Sequence, residues 1–93
     1  MKIVYEPRFI NSFTNIWDYI AKDSINRANT FKTKIKKLIE DITDMPYKYR
    51  KSIYFKDENI RDLIHKGYTI VYKIDEKADT ITIIGIKKYT NSI

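Results

Sequence analysis

The chain contains no cysteine, so neither a disulfide framework nor a thiolate metal site is open to it. Its two glycines, Gly67 and Gly85, stand too far apart to form a loop that cradles phosphate. Only two prolines, Pro7 and Pro46, accompany them, which leaves little material for linkers or disorder. The single histidine, His65, cannot build a multi-histidine metal site, and no Ser/His/Asp order stands out around it. No apolar run approaches the roughly 18 residues that span a bilayer, and Met1-Lys2-Ile3-Val4-Tyr5-Glu6 has no long apolar stretch behind its lysine. These absences predict a cytoplasmic protein with no metal, no cofactor and no membrane partner.

What is present is a chain of 93 residues, 43% hydrophobic and 14% aromatic, enough for one thin core and a single domain over residues 1–93. The formal charge of +6 would draw nucleic acid, an acidic protein or an anionic surface. Abundant Ile, Lys, Asn and Tyr match AT-rich coding, so where the lysines cluster says more than how many there are.

Residues 2–6 alternate polar with apolar, as in a short strand that Pro7 ends. Phe9, Phe13, Ile16, Trp17 and Ile20 then recur at the spacing of one helical face, predicting a helix over residues 8–22. Asp23 and Ser24 offer caps for a second helix. Its stripe of Ala28, Phe31, Ile35, Leu38, Ile39, Ile42 and Met45 runs until Pro46. So short a break folds the helices into an antiparallel hairpin whose joint apolar face needs a covering layer. Residues 59–65, 68–74 and 80–86 read as strands, with Lys66-Gly67 as a tight reversal. A further short strand is expected at 52–55. The resulting order, βααββββ, predicts an α+β fold: an N-terminal strand, and a helical hairpin on one face of a mainly antiparallel sheet whose other face stays open.

Asp41, Asp44, Asp57, Glu58, Asp62, Asp75, Glu76 and Asp79 fall in turns or on polar faces and read as solvated surface. Basic and aromatic residues gather in three places. Arg27, Lys32, Lys34, Lys36 and Lys37 lie on the second helix, where exposed lysines are ordinary surface. Tyr47, Lys48, Tyr49, Arg50 and Lys51 precede the sheet, and Lys87, Lys88 and Tyr89 close the chain. Such interleaving suits nucleic acid, where cations meet phosphates and rings stack on bases.

Ile16-Trp17-Asp18-Tyr19-Ile20-Ala21-Lys22-Asp23-Ser24, followed by Ala28 and Phe31, resembles the helical hairpin of ParE-type toxins. Asn59-Ile60-Arg61-Asp62-Leu63 resembles their strand signature. The run from Lys66-Gly67-Tyr68 to Tyr72-Lys73-Ile74 resembles the G-Y-x-I-x-Y hairpin found across RelE and ParE proteins. The resemblance spans nearly the whole chain in the right order. It implies the toxin of a type II toxin–antitoxin pair, neutralised by an antitoxin with an acidic toxin-binding segment and reaching operator DNA only through that antitoxin. RelE-like members cut mRNA on the ribosome; ParE-like members poison DNA gyrase without cutting RNA.

RelE-like enzymes carry an arginine directly after the hairpin tyrosine and lysines in the preceding strand, whereas this chain has Thr69, Ile60 and Asp62 there. Cutting RNA needs an acid, a base and cations on the crowded phosphate. The resemblance therefore implies ParE-like gyrase inhibition by binding, rather than an enzyme. The alternatives are an endoribonuclease using Lys87, Lys88, Tyr89 and His65, and a non-toxic accessory protein that binds DNA and antitoxin. Candidate contact residues for target or antitoxin are Lys48, Tyr49, Arg50, Arg61, Lys73, Lys87 and Lys88. Alternation puts Arg61 with Leu63, so its stem is expected beneath the helices with its guanidinium on a carboxylate.

Overall fold

A computed structural model describes residues 1–88. The elements are β1 (Lys2–Tyr5), α1 (Pro7–Asp23), α2 (Ile25–Ile42), β2 (Arg50–Lys51), β3 (Ile60–His65), β4 (Tyr68–Asp75) and β5 (Thr80–Lys88). They form one five-stranded sheet in the order β1-β5-β4-β3-β2. Only β1 runs parallel to its neighbour, β5; the other pairs are antiparallel. The expected α+β class and βααββββ order are found.

Ser24 makes the helical hairpin. Its backbone N–H closes α1 on the Ile20 carbonyl, and its Oγ accepts from the Arg27 N–H at 3.1 Å, capping α2. With one residue serving both helix ends, the chain has no choice but to reverse. Both helices then press Phe9, Ile35, Ile39 and Ile42 onto Leu63, Ile70, Tyr72, Ile74, Ile81, Ile83 and Ile86 of the sheet. An aromatic ladder crosses the layers from β1 to β4: Tyr5, Phe9, Phe13, Phe31 and Tyr68 follow one another with ring centroids 5.0–5.9 Å apart.

Strict alternation would turn Ile86 away from the core. The ladder instead pairs Val71 with Gly85 and Tyr72 with Ile83, leaving Ile84 as a bulge. That extra residue lets both Ile83 and Ile86 face the helices. At the other end of β4, Lys66 and Gly67 take φ of 45° and 81°, the two positive angles of a type I′ hairpin turn.

Three expectations are corrected. The second helix stops at Ile42, because Thr43 turns its hydroxyl onto the Glu40 carbonyl; Met45 lies beyond it, exposed. The short strand is at 50–51, not 52–55. Ser52 still gives its N–H to the Ile60 carbonyl, but from Ile53 onward the chain leaves the ladder. Lastly, the sheet face away from the helices is not open: Ile60, Asp62, Thr69 and Val71, which alternation places there, are all buried. Segment 52–55 crosses that face, with its Ile53 N–H on Asp62 and Tyr54 beneath the Lys87 ammonium.

Gly67 sits at a φ where a Cβ strains the backbone, although nothing lies within 4 Å of where that atom would be. Gly67→Ala should therefore cost about 1 kcal/mol and lower the melting temperature by roughly 4–8 °C, read by thermal unfolding.

Candidate functional site

Two adjacent residues of β3 control the segment that leads onto the far face. Arg61 points to the helix side, level with Tyr72. It donates from Nε to the Glu58 carbonyl at 2.9 Å, and from Nη1 to the carbonyls of Tyr49 at 3.1 Å and Tyr47 at 3.4 Å. Its guanidinium also lies over the Tyr47 ring, 5.0 Å from the centroid. The expected carboxylate partner is thus replaced by backbone carbonyls. A sequence shows only side chains, and the carbonyls that a bend turns inward carry no signature in it. Tyr72 adds to the grip: its ring is fully buried, its hydroxyl donates to the Pro46 carbonyl, and burial pushes its pKa well above the ordinary phenol value.

Asp62, next in the chain, points to the opposite face and is 1% exposed, which corrects the expectation of a solvated carboxylate. Its Oδ2 accepts from Arg50 Nη2 at 3.3 Å and from the Ile53 N–H at 3.1 Å. Ser52 Oγ then accepts from the Tyr54 N–H at 3.1 Å. The chain therefore turns around the β2 edge gripped by Arg61 on one side and Asp62 on the other.

The hairpin registers set the remaining candidates in place. His65, Tyr68 and Lys88 form one cross-strand row on the helix side, while Ile64, Thr69 and Lys87 form the next row on the far side. His65 and Lys88 thus share a side that Lys87 does not. Tyr89 lies outside the described residues. Lys73 stands exposed on the far face opposite Thr82, four residues along β4 from the Lys87 row, about 13 Å away. Lys48 lies 5.5 Å from the Tyr49 ring centroid, and Tyr49 meets Tyr72 edge-on. Thr69, standing where RelE-like enzymes carry arginine, is fully buried, and its Oγ1 has no hydrogen-bond partner among the described residues.

Two concavities flank this framework. On the far face, Tyr54, Phe55, Val71, Ile84, Gly85, Ile86 and Lys87 join Arg8 and Ser12 of α1 around about 340 Å³. Sequence reading missed Arg8, Tyr54 and Phe55; the only local signal was an apolar run, Ile53-Tyr54-Phe55, that a strand could equally have buried. Between the helices, Tyr5, Phe9, Phe13, Ile35 and Ile39 line an apolar groove of about 280 Å³ rimmed by Lys32 and Lys36. Among the described residues no group of three or more His, Asp or Glu side chains could hold a metal, and no helix is long and apolar enough to cross a membrane.

With this geometry in view, known proteins place the chain. The sequence profile of the ParE toxin of type II toxin–antitoxin systems, parDE, matches residues 3–90. The chain belongs to the ParE toxin family. A solved structure from the chromosomal ParDE toxin–antitoxin system of P. aeruginosa superposes with a TM-score of 0.76 over 97% of both chains, at 12% identity. The isolated E. coli RelE toxin superposes with a TM-score of 0.71 over 98% of this chain and 86% of that one, at 14% identity. Likenesses at such identity establish the shared fold. No curated protein sequence matches the chain. The resemblance read from Ile16–Ser24 and the Gly67-Tyr68 hairpin therefore holds, on the ParE side of the superfamily.

Removing the buried carboxylate should free the crossing segment. Asp62→Ala is expected to cost about 2 kcal/mol, as loss of a charged acceptor with two donors, and to speed amide exchange at Ile53 while Leu63 stays protected. His65 carries a second prediction. Burial first, then the charges of Lys66 and Lys34, lower its pKa below the ordinary histidine value. The unfolded chain therefore takes up the proton at higher pH than the folded one, so stability falls as pH drops below about 6.5 and levels off below the folded pKa. His65→Gln should flatten that part of a urea-midpoint profile measured from pH 8 to pH 5.

Proposed function

We propose that this ParE-family chain arrests growth by binding DNA gyrase, and that a cognate antitoxin with an acidic binding segment neutralises it. One observation carries the reading: the sheet face on which an RNA-cutting relative would gather cations is crossed by segment 52–55 and offers apolar residues in their place. Ile60, Asp62 and Thr69 are buried on that face, and the Arg50 guanidinium is engaged with Asp62. Lys73 remains on that face about 13 Å of strand from the Lys87 row, and at the pocket Lys87 is joined by Arg8 alone. Stabilising a pentavalent phosphate calls for cations aimed at a single point. A surface so arranged suits binding better than cleavage.

Charge supports the antitoxin half of the proposal. A +6 chain attracts an acidic partner at long range, and the groove beside the helices leaves Tyr5 and part of Phe13 accessible to the apolar side of an antitoxin helix, with Lys32 and Lys36 placed for its carboxylates.

Expression without partner is the test. Growth arrest with induction of the DNA-damage response, relieved by co-expressing the acidic product of the flanking gene, is the expected result. Codon-dependent mRNA cuts would replace it with the RelE-like reading, and replacing Lys87, Lys88 and Tyr89 together by alanine would then abolish cutting. Healthy growth would leave only the accessory DNA-binding role.

A further inference from the structure

The concavity on the far face has the make-up of a protein-docking pocket. Its floor is apolar, from Val71 and Ile84, and its wall is the pair Tyr54 and Phe55, 40% and 44% exposed. Ile53 and Ile64, 64% and 47% exposed, extend the apolar surface beside it. Aromatic and aliphatic side chains left in water beside a preformed cavity are the usual core of an interface. The wall is not floppy, because Ser52 and Asp62 hold the backbone of residues 53 and 54.

Two cations stand at the rim, Arg8 from α1 and Lys87 from β5. Among the described residues, neither forms an ion pair. Arg8 lies in the first turn of its helix, where a cation opposes the helix dipole, and that turn has no acidic residue to offset it. Lys87 sits 4.4 Å from the centroid of the Tyr54 ring, its charge held over the pocket mouth. Helix stability thus gives no reason for Arg8, whereas an incoming anion does.

We propose that this pocket is where the target docks, and that it takes an acidic protein segment presenting an apolar side chain. The side chain enters between Tyr54, Phe55 and Val71 while a neighbouring carboxylate meets Arg8 and Lys87. A nucleic acid strand fits less well, since it needs cations in succession along its phosphates. Arg50 is engaged with Asp62, and the Lys73 row lies about 13 Å from the Lys87 row. The proposal rests on the reading of the chain as a toxin that acts by binding, and names the surface used.

Gly85 makes it testable without disturbing the fold. A Cβ there meets nothing within 4 Å, and its φ is not in the left-handed region, so Gly85→Val projects into the cavity rather than into the core. Lys87→Glu, on an exposed position, reverses the rim charge. Both variants should melt within a few degrees of the parent chain, bind purified DNA gyrase at least about tenfold more weakly and lose growth arrest. Gyrase binding at the parent's strength by folded Gly85→Val overturns the pocket and leaves the gyrase reading standing. Should the parent chain itself fail to bind gyrase, that reading falls, and arrest decides the pocket: arrest that persists in both variants overturns it, and arrest lost in both upholds it. Tight binding of a labelled single-stranded oligonucleotide by the parent, abolished by Gly85→Val, overturns the acidic protein segment as occupant.

Discussion

The structure depends on how residues 46–55 are carried around the edge of the sheet. Successive residues of a strand point to opposite faces, and here that parity is used as a clamp. Arg61 holds the carbonyls of Tyr47 and Tyr49 on the helix side, while Asp62 holds the Ile53 N–H and the Arg50 guanidinium on the other. Each grip answers a cost of burial. A buried carboxylate needs donors, and the carbonyls of a chain leaving a helix need partners. By supplying each other, the clamp and the crossing segment make one rigid unit of the β2 edge.

That unit decides the character of the far face. Because segment 52–55 is held onto Asp62, the face gains an apolar wall, Tyr54 and Phe55, with Arg8 and Lys87 at its rim. The isolated E. coli RelE toxin shares the fold at a TM-score of 0.71, and a fold by itself does not fix function, which lies in the residues a site presents.

Much of the fold was legible along the chain. Phe9, Phe13 and Ile16, and then Phe31, Ile35 and Leu38, carry a helical period that only an amphipathic helix satisfies. Tyr68, Ile70, Tyr72 and Ile74 carry the period of a strand. The ParE resemblance came from the same stretches. Less was legible of the site. The bulge at Ile84 could not be read, because a run of isoleucines satisfies either register. Segment 52–55 looked like a strand because Ile53, Tyr54 and Phe55 favour strands, yet the ladder ends at β2 and the backbone N–H groups of residues 53 and 54 go to side chains instead. Arg61 takes the face that alternation assigns, with backbone carbonyls where a carboxylate is expected.

The sequence by itself determined the order of elements, the face each regular side chain takes and the reversal at Lys66-Gly67, because periodicity and turn chemistry are properties of neighbouring residues. The tertiary structure decided which charges are engaged. Arg50 meets Asp62 across twelve residues, and Arg8 meets Lys87 at one pocket although nearly the whole chain lies between them. Such meetings follow from strand register and from the path around a sheet edge, which the packed core fixes and no local pattern records.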